Sequence, residues 1–320
     1  MITSLKSIPR KLVNRSYKRQ INQAVAALPY NQQIKLLDIG SAGGIQPRWK
    51  DYAKFIKFIG FDLDIAIKNT DVASKLPLKS STNFNSLLFE ETTSVKFYRT
   101  SEAEKSSIYE PNIEILNLFP NVERFRVITT KYESAKKIDD FFGDKIDFIK
   151  IDSQGSELNI LKGAEVLLQN VLGLEVEVEF IKIYKNQPLV TDVTIFLESA
   201  GFVLIDFVNI YRWERESLSG LGQLIFADAL FLRKPEDIVT ETTIDLKIST
   251  YLLILLIYKR FDLIHRTHTL LSPEKREFYS VFMGKISILE RRHKRVFYFS
   301  SILDFLMKFY DTSYRSHLLY

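Results

Sequence analysis

The sequence predicts an α/β protein with a doubly wound, mostly parallel sheet and an all-helical extension at its C-terminal end. Three observations indicate this fold. Apolar runs of strand length alternate with longer helical patterns from residue 36 to about residue 234, as in parallel sheets whose strands are joined by helices. Two of the runs lead straight into glycine turns, in LLDIGSAGG (36–44) and IDFIKIDSQG (146–155). After residue 235 only helical patterns continue.

Eight apolar runs supply the predicted strands. In chain order they are IKLLDI, FIKFIGFD, VKFYRT, RFRVITT, IDFIKID, LEVEVEF, FVLIDF and LIFADALFL. The polar stretch between the last two contains Gly220 and Gly222 and no clear helical pattern. Because strands joined without a crossover helix pair antiparallel, we expect a hairpin at one end of the sheet.

Helical patterns flank the sheet region and divide the chain into a basic helical segment (1–34), the α/β domain (35–235) and a helical extension (236–320). The first segment has a narrow apolar stripe at Ile21, Val25 and Leu28, which have helical spacing. In the extension a helix is expected to begin at Ser272, because serine caps helices and the following proline fits the first turn.

Composition and charge restrict the class of function. The chain has no cysteine, which excludes thiolate nucleophiles and sulfur-ligated zinc and is compatible with a reducing compartment, so we expect a cytoplasmic protein. The longest apolar run, at 251–258, is too short to cross a bilayer core of about 30 Å. The net charge of +5 combines basic flanks with an acidic middle, which argues against a nucleic-acid partner. The flanks suit either peripheral contact with an anionic membrane or glycolipid, or solvated helix faces.

The first glycine turn resembles a cofactor-binding loop. Asp38, Gly40 and Gly44 follow an apolar strand, and glycine allows the backbone to approach a ligand closely. The dinucleotide fingerprint G-x-G-x-x-G fails, because Ala42 and Ile45 occupy two of its glycine positions. An acid before the turn also suits a ligand with an amino group better than one with phosphates.

The ends of two further strands carry acids that face the same crevice in an open α/β sheet. Asp62 ends the second strand, where a carboxylate can accept hydrogen bonds from both ribose hydroxyls, although an exposed loop acid also arises by chance. Asp152 leaves its strand on the same side as Phe148 and Lys150. It is our first candidate for a catalytic base, since a carboxylate beside a lysine stays ionised. The alternative is a purely structural ion pair between Lys150 and Asp152.

These residues, together with SSIYEPN (106–112) and KIDDFFGDKIDFIKIDSQGSELNILKGAEVLL (137–168), resemble the FkbM family of S-adenosylmethionine-dependent methyltransferases over about 36–234. The resemblance implies the class I methyltransferase fold, a Rossmann-like sheet of seven strands with the last antiparallel. It implies that the loop of Asp38, Gly40, Ser41 and Gly44 binds the methionine part of S-adenosylmethionine. Asp62 would bind the ribose, and Asp152 would lie between cofactor and acceptor.

The run LEVEVEF places Glu175, Glu177 and Glu179 on one face of a strand. On an edge strand that alternation would mean only a solvated face. In the resembled fold the strand is interior, where acids are costly unless they are paired or line a cleft. Glu177 and Glu179, nearest the carboxyl end, are therefore candidate catalytic residues of the acceptor site. All four histidines lie beyond residue 260, so carboxylates, tyrosines or lysines must accept protons in the α/β domain.

We therefore predict an O-methyltransferase that transfers the methyl group of S-adenosylmethionine to a hydroxyl of a sugar, glycan or other natural product without a metal ion. The alternatives are an NAD(P)-dependent Rossmann oxidoreductase, which the failed fingerprint disfavours, and a non-catalytic scaffold that binds a glycolipid or a protein. The intact acids Asp38, Asp62 and Asp152 argue against the scaffold.

Overall fold

A computed structural model describes residues 7–30, 33–41, 44–63, 76–142, 145–215, 222–240 and 242–310, with side chains described between Ser16 and Arg295. These residues belong to two compact units. Of the described residues, those within 34–45 and 56–234 form an α/β unit, and those within 7–33, 46–55 and 235–310 form a helical unit.

The strands of the α/β unit are β1 (Ile34–Ile39), β2 (Ile56–Asp62), β3 (Ser80–Asn85), β4 (Leu87–Phe89), β5 (Thr93–Thr100), β6 (Val127–Lys137), β7 (Phe148–Ile151), β8 (Gly173–Glu179), β9 (Val203–Trp213) and β10 (Gln223–Leu232). Seven of the described strands form one sheet in the order β3-β2-β1-β7-β8-β10-β9. β10 is antiparallel to both β8 and β9, and the other neighbours are parallel. The predicted mostly parallel sheet and its antiparallel hairpin are confirmed.

Two predicted strands lie outside this sheet. VKFYRT and RFRVITT contribute to β5 and β6, which pair antiparallel in a separate sheet of order β4-β6-β5. The large sheet instead contains β3 at its edge beside β2, a strand that was not predicted and whose sequence SSTNFN is polar and largely exposed. An edge strand with little core contact requires no apolar run, so the hydrophobic pattern did not reveal it.

The helices are α1 (Ser7–Ala26), α2 (Pro47–Lys50), α3 (Ile113–Leu116), α4 (Glu157–Lys162), α5 (Glu165–Leu168), α6 (Val190–Ser199), α7 (Pro235–Ile238), α8 (Asp245–Ile257), α9 (Phe261–Leu270), α10 (Pro273–Phe278) and α11 (Ser280–Tyr310). In the α/β unit, α4, α5 and α6 pack their apolar residues on one face of the large sheet, with Leu161, Leu168 and Leu197 fully buried. The opposite face of β7 and β8 carries polar side chains, and the candidate site lies there.

In the helical unit, α8 is buried along nearly its whole length, including the apolar run predicted at 251–258. α1 and α11 contact one another, and the Arg292 guanidinium donates hydrogen bonds to Ser16 and Gln20. Ser272 caps α10 by accepting a hydrogen bond from the Lys275 backbone amide, as the sequence predicted. Among the described residues, no helix combines the length and apolar character that crossing a membrane requires.

Candidate functional site

The two glycine turns meet at the carboxyl ends of β1 and β7. The Gly40 backbone amide donates a hydrogen bond to the Phe61 carbonyl at 2.9 Å, and the Asp152 amide donates to the Ile39 carbonyl at 3.0 Å. Gly40 has φ of +80°, and a Cβ atom at this position would overlap the Asp152 carbonyl oxygen. The turn therefore requires glycine for both its conformation and its close backbone approach.

The other residues predicted to bind the cofactor surround this turn. Asp38 and Ser41 are buried, and the Ser41 hydroxyl donates to the Phe61 carbonyl at 3.3 Å. Gly44 has φ of +70°, and its amide closes the turn on the Ser41 carbonyl. Asp62 is half-buried at the end of β2. The fold thus brings the four loop residues and Asp62 to the same edge of the sheet.

Lys150 is a buried cation between two acids. Its Nζ atom lies 3.2 Å from Oδ2 of Asp152 and 3.6 Å from Oδ1 of Asp38. Burial alone would lower the pKa of Lys150, but Asp152 and Asp38 outweigh it and raise the pKa, so the amine stays charged. Burial raises the pKa of Asp38 to about 6, with Lys150 opposing the shift. The ion pair that the sequence left as an alternative role for Asp152 is present.

A strained loop connects β7 to α4. Gln154 adopts a left-handed conformation with φ of +57°, and Gly155 follows with φ of +97°. The loop is held by Glu157, whose Oε1 accepts hydrogen bonds from the Ser153 amide at 2.7 Å, the Ser153 hydroxyl at 3.0 Å and the Gly155 amide at 3.2 Å. Non-glycine residues with positive φ are concentrated at functional sites, so this loop is a candidate part of the site.

Gln154 links the acids of β7 and β8. Its Nε2 atom donates to Oδ1 of Asp152 at 3.1 Å and to Oε1 of Glu177 at 3.3 Å, and its Oε1 accepts from the Tyr184 hydroxyl at 3.2 Å. Both oxygens of Asp152 are therefore engaged, one by Lys150 and one by Gln154. Gln154 was not predicted from the sequence, although it stands inside the string KIDSQGSEL that carries the family resemblance.

Glu177 and Glu179 are buried on β8, beside Glu157. One carboxylate oxygen from each of the three lies within 4.8 Å of the others, a spacing at which they can share protons or surround a cation. Burial raises the pKa of Glu157 to about 7. Burial, followed by the negative charges of neighbouring acids, raises the pKa values of Glu177 and Glu179 well above their usual range. Burial and the neighbouring charges thus favour the protonated forms of these two carboxyl groups.

The polar face continues onto the antiparallel end of the sheet. Asp228 on β10 lies directly opposite Glu177 and accepts a hydrogen bond of 2.6 Å from the Asn209 amide on β9. Neither Asp228 nor Asn209 was predicted to belong to the site. Asp228 was overlooked because it stands within an apolar run. In the loop after β8, Tyr184 is buried and its hydroxyl donates a hydrogen bond to the Lys105 carbonyl at 2.9 Å, whereas Lys185 is exposed.

Comparison with protein-family models gives the decisive match. The model described as the Methyltransferase FkbM domain matches residues 45–204, half of the chain. The chain belongs to the FkbM methyltransferase family. The match contains Asp62, Asp152, Glu177 and Glu179, and it begins just after the first glycine turn. The family resemblance read from the sequence is thereby confirmed.

Two solved structures are similar to the chain. The methyltransferase FkbM from Methylobacillus flagellatus KT has 15% identity and a TM-score of 0.34, over 62% of this chain and 43% of that one. The precorrin-6y C5,15-methyltransferase from Geobacter metallireducens GS-15 has 9% identity and a TM-score of 0.32, over 66% of this chain and 85% of that one. The chain thus matches less than half of the first structure. A search of curated proteins found no match.

Proposed function

We propose that this FkbM methyltransferase uses S-adenosylmethionine to methylate a hydroxyl oxygen, and that the hydroxyl belongs to a sugar, a glycan or a related natural product. The observation that carries the proposal is the convergence of the first glycine turn, Asp62 and Asp152 at the carboxyl ends of adjacent strands in a chain of this family. Ligands of open α/β sheets bind at that edge.

The residues present fit this cofactor. The glycine at position 40 lets the first turn lie directly against the Asp152 backbone at the edge of the sheet, where we place the methionine part. In this assignment the loop of Asp38, Gly40, Ser41 and Gly44 holds that part, and Asp62 accepts hydrogen bonds from the ribose hydroxyls. The bound cofactor would supply an electrophilic methyl group on a sulfonium.

Asp152 and the two buried acids of β8 are assigned different roles in the reaction. Asp152 is held on both oxygens, by Lys150 and by Gln154, so we assign it to orientation at the boundary between cofactor and acceptor. Methylation of a hydroxyl also requires a proton acceptor. Glu177 shares the Gln154 amide with Asp152, and Glu179 clusters with Glu177. Neither is engaged by a cation at hydrogen-bonding distance in the described part of the chain, so we assign that role to them.

We further propose that the reaction proceeds by direct displacement without a metal ion. Glu157, one of the three clustered acids, already accepts three hydrogen bonds from its own loop. Burial and the neighbouring acids raise the pKa values of Glu177 and Glu179, so a bound proton can relieve their mutual repulsion in place of a cation. Asn209 and Asp228 extend the polar face and offer hydrogen bonds to acceptor hydroxyls. The absence of cysteine supports a cytoplasmic site for this reaction.

The proposal is tested by incubating the full chain with S-adenosylmethionine labelled with ¹³C in the methyl group and a panel of methyl glycosides, oligosaccharides and hydroxylated macrolactones. We expect a new O-methyl carbon signal in the NMR spectrum of one acceptor class, retained after EDTA treatment. Label on nitrogen or carbon would contradict O-methylation. Loss of the signal with EDTA and recovery with Mg²⁺ would contradict metal independence.

A further inference from the structure

We propose that Glu177 and Glu179 form a proton store controlled by the charge of the cofactor. The pair holds its protons in the free protein, releases one when the cationic sulfonium binds, and takes one from the acceptor hydroxyl when methyl transfer removes that cation. This inference rests on the proposed function and adds to it a reason why the two acids are buried together.

The geometry of the three acids supports a store rather than an ordinary ion pair. Glu157, Glu177 and Glu179 are 2%, 8% and 2% exposed, and one oxygen from each lies within 4.8 Å of the others. Oε1 of Glu179 is buried and has no hydrogen-bond partner among the described residues. A buried carboxylate without a donor is unfavourable as an anion, and protonation removes that cost.

The groups that face Glu177 come from several elements, and most add negative charge. Asp152 approaches from the end of β7, Glu157 from α4 and Asp228 from β10, while Glu179 lies two residues further along β8. Lys105 opposes their effect on Glu177 with a positive charge.

Two polar neighbours and one lysine complete the surroundings of Glu177. Gln154 donates a hydrogen bond to it, and the Tyr184 hydroxyl donates to Gln154. Lys150 is already paired with Asp38 and Asp152. Burial and the surrounding acids together favour the protonated form of Glu177 in the free protein.

Gln154 connects this store to the proposed cofactor site. Its single Nε2 atom contacts both Asp152, at 3.1 Å, and Glu177, at 3.3 Å. A positive charge beside Asp152 is therefore about one side chain away from the store, through part-buried groups where solvent screens it less than at the surface. A nearby cation favours the ionised form of a carboxyl, whereas the neutral thioether of S-adenosylhomocysteine does not.

The proton balance closes over one turnover. When the sulfonium binds, a carboxyl group of the store becomes a carboxylate and its proton leaves to the solvent. The acceptor oxygen then bonds to the methyl carbon, the electron pair of the broken carbon–sulfur bond stays on sulfur, and the hydroxyl proton passes to the carboxylate. The next sulfonium expels that proton, so one proton is released for each methyl group transferred.

Calorimetric titration tests this without knowledge of the acceptor. The full chain is titrated with S-adenosylmethionine and with S-adenosylhomocysteine at pH 7, in phosphate and in Tris, whose ionisation enthalpies differ widely. The difference in heat between the buffers gives the number of protons released. We expect about one proton for S-adenosylmethionine and about none for S-adenosylhomocysteine. Glu177→Gln and Glu179→Gln, each close in shape to the protonated residue, should both lower the release. The exposed control Glu198→Gln should leave it unchanged.

Equal proton release with the two ligands would overturn the proton store while leaving the proposed cofactor in place. Unchanged release in both glutamine variants would overturn it as well, because the protons would then come from other groups. Failure of both ligands to bind wild-type protein would instead contradict the proposed function. It would also contradict the proton store, which rests on that function.

Discussion

Lys150 and Asp38, which come from neighbouring strands of the large sheet, form a buried ion pair with 3.6 Å between Nζ and Oδ1. The same amine lies 3.2 Å from Asp152. One cation therefore joins the acid before the first glycine turn to the acid that begins the second. This relationship holds the two turns in register at the edge where the cofactor is proposed to bind.

Lys150→Met should destabilise the protein strongly, because Asp38 and Asp152 lose their cation. Removing one member of a buried pair typically costs about 3 to 5 kcal/mol of unfolding free energy. The cost should be smaller at pH 5 than at pH 8, since Asp38 has a pKa raised to about 6 and can be neutralised by protonation. Urea unfolding at both pH values measures this. The exposed pair of Lys185 and Glu110 is the control, and Lys185→Met should cost about 0 to 1 kcal/mol. Equal losses in the two variants would contradict the role given to Lys150.

Gly40→Ala should destabilise the α/β unit and abolish binding of S-adenosylmethionine. Its left-handed conformation alone costs a non-glycine residue about 1 to 2 kcal/mol, and the added Cβ would overlap the Asp152 carbonyl. Gly284 is a matched control, because it lies in the helix α11 and an added Cβ atom would meet no other atom within 4 Å. Gly284→Ala should stabilise by about 0.5 to 1 kcal/mol. Thermal unfolding and calorimetric binding give the two readouts, and retained cofactor binding in Gly40→Ala would contradict the loop assignment.

Asp62→Ala should weaken binding of S-adenosylmethionine by about 1 to 3 kcal/mol, the typical cost of leaving buried polar groups unpaired. The affinity measured by calorimetry should fall by the same factor for S-adenosylhomocysteine, since the two ligands share the ribose. Asp237→Ala, at an exposed position in the helical unit, is the control and should bind both normally. Unchanged affinity in Asp62→Ala would remove Asp62 from the ribose site.

The free protein should become more stable as the pH falls from 8 to 6. Glu157 has a folded pKa raised to about 7, above its unfolded value, so the folded state binds the proton more tightly. That stability is present at low pH and is lost as the pH rises through about 7, with a slope of at most about 1.4 kcal/mol per pH unit for each proton. Glu157→Gln should flatten the slope, whereas the exposed Glu165→Gln should not. A slope that is the same in both variants would contradict the shift.

The sequence predicted the parts of the fold that depend on burial. β1, β2 and β7 carry apolar runs because they are interior strands of the large sheet, whereas β8 alternates core residues with acids on its other face. The predicted alternation with helices followed from these runs. β3 was not predicted, because a polar edge strand is specified by pairing with its neighbour β2 rather than by its own side chains. The hydrophobic pattern also could not show that β5 and β6 belong to a separate sheet, because strand length and apolar content do not determine which strands pair.

The sequence singled out Asp38, Asp62, Asp152, Glu177 and Glu179 as site candidates because acids at strand ends and in an interior strand are unusual, and their roles remain predictions. Gln154 was missed because its role depends on a left-handed backbone that sets its amide between two strands. Asp228 was missed because only the register of β10 against β8 reveals that it faces Glu177.

Calorimetric titration of the purified full chain with S-adenosylmethionine, S-adenosylhomocysteine, NADH and NADPH under identical conditions would identify the cofactor. We expect micromolar binding of the first two and no binding of the nicotinamide cofactors. Binding of NADH or NADPH alone would contradict the proposed function in favour of an oxidoreductase. Binding of none of the four would contradict it in favour of a non-catalytic scaffold.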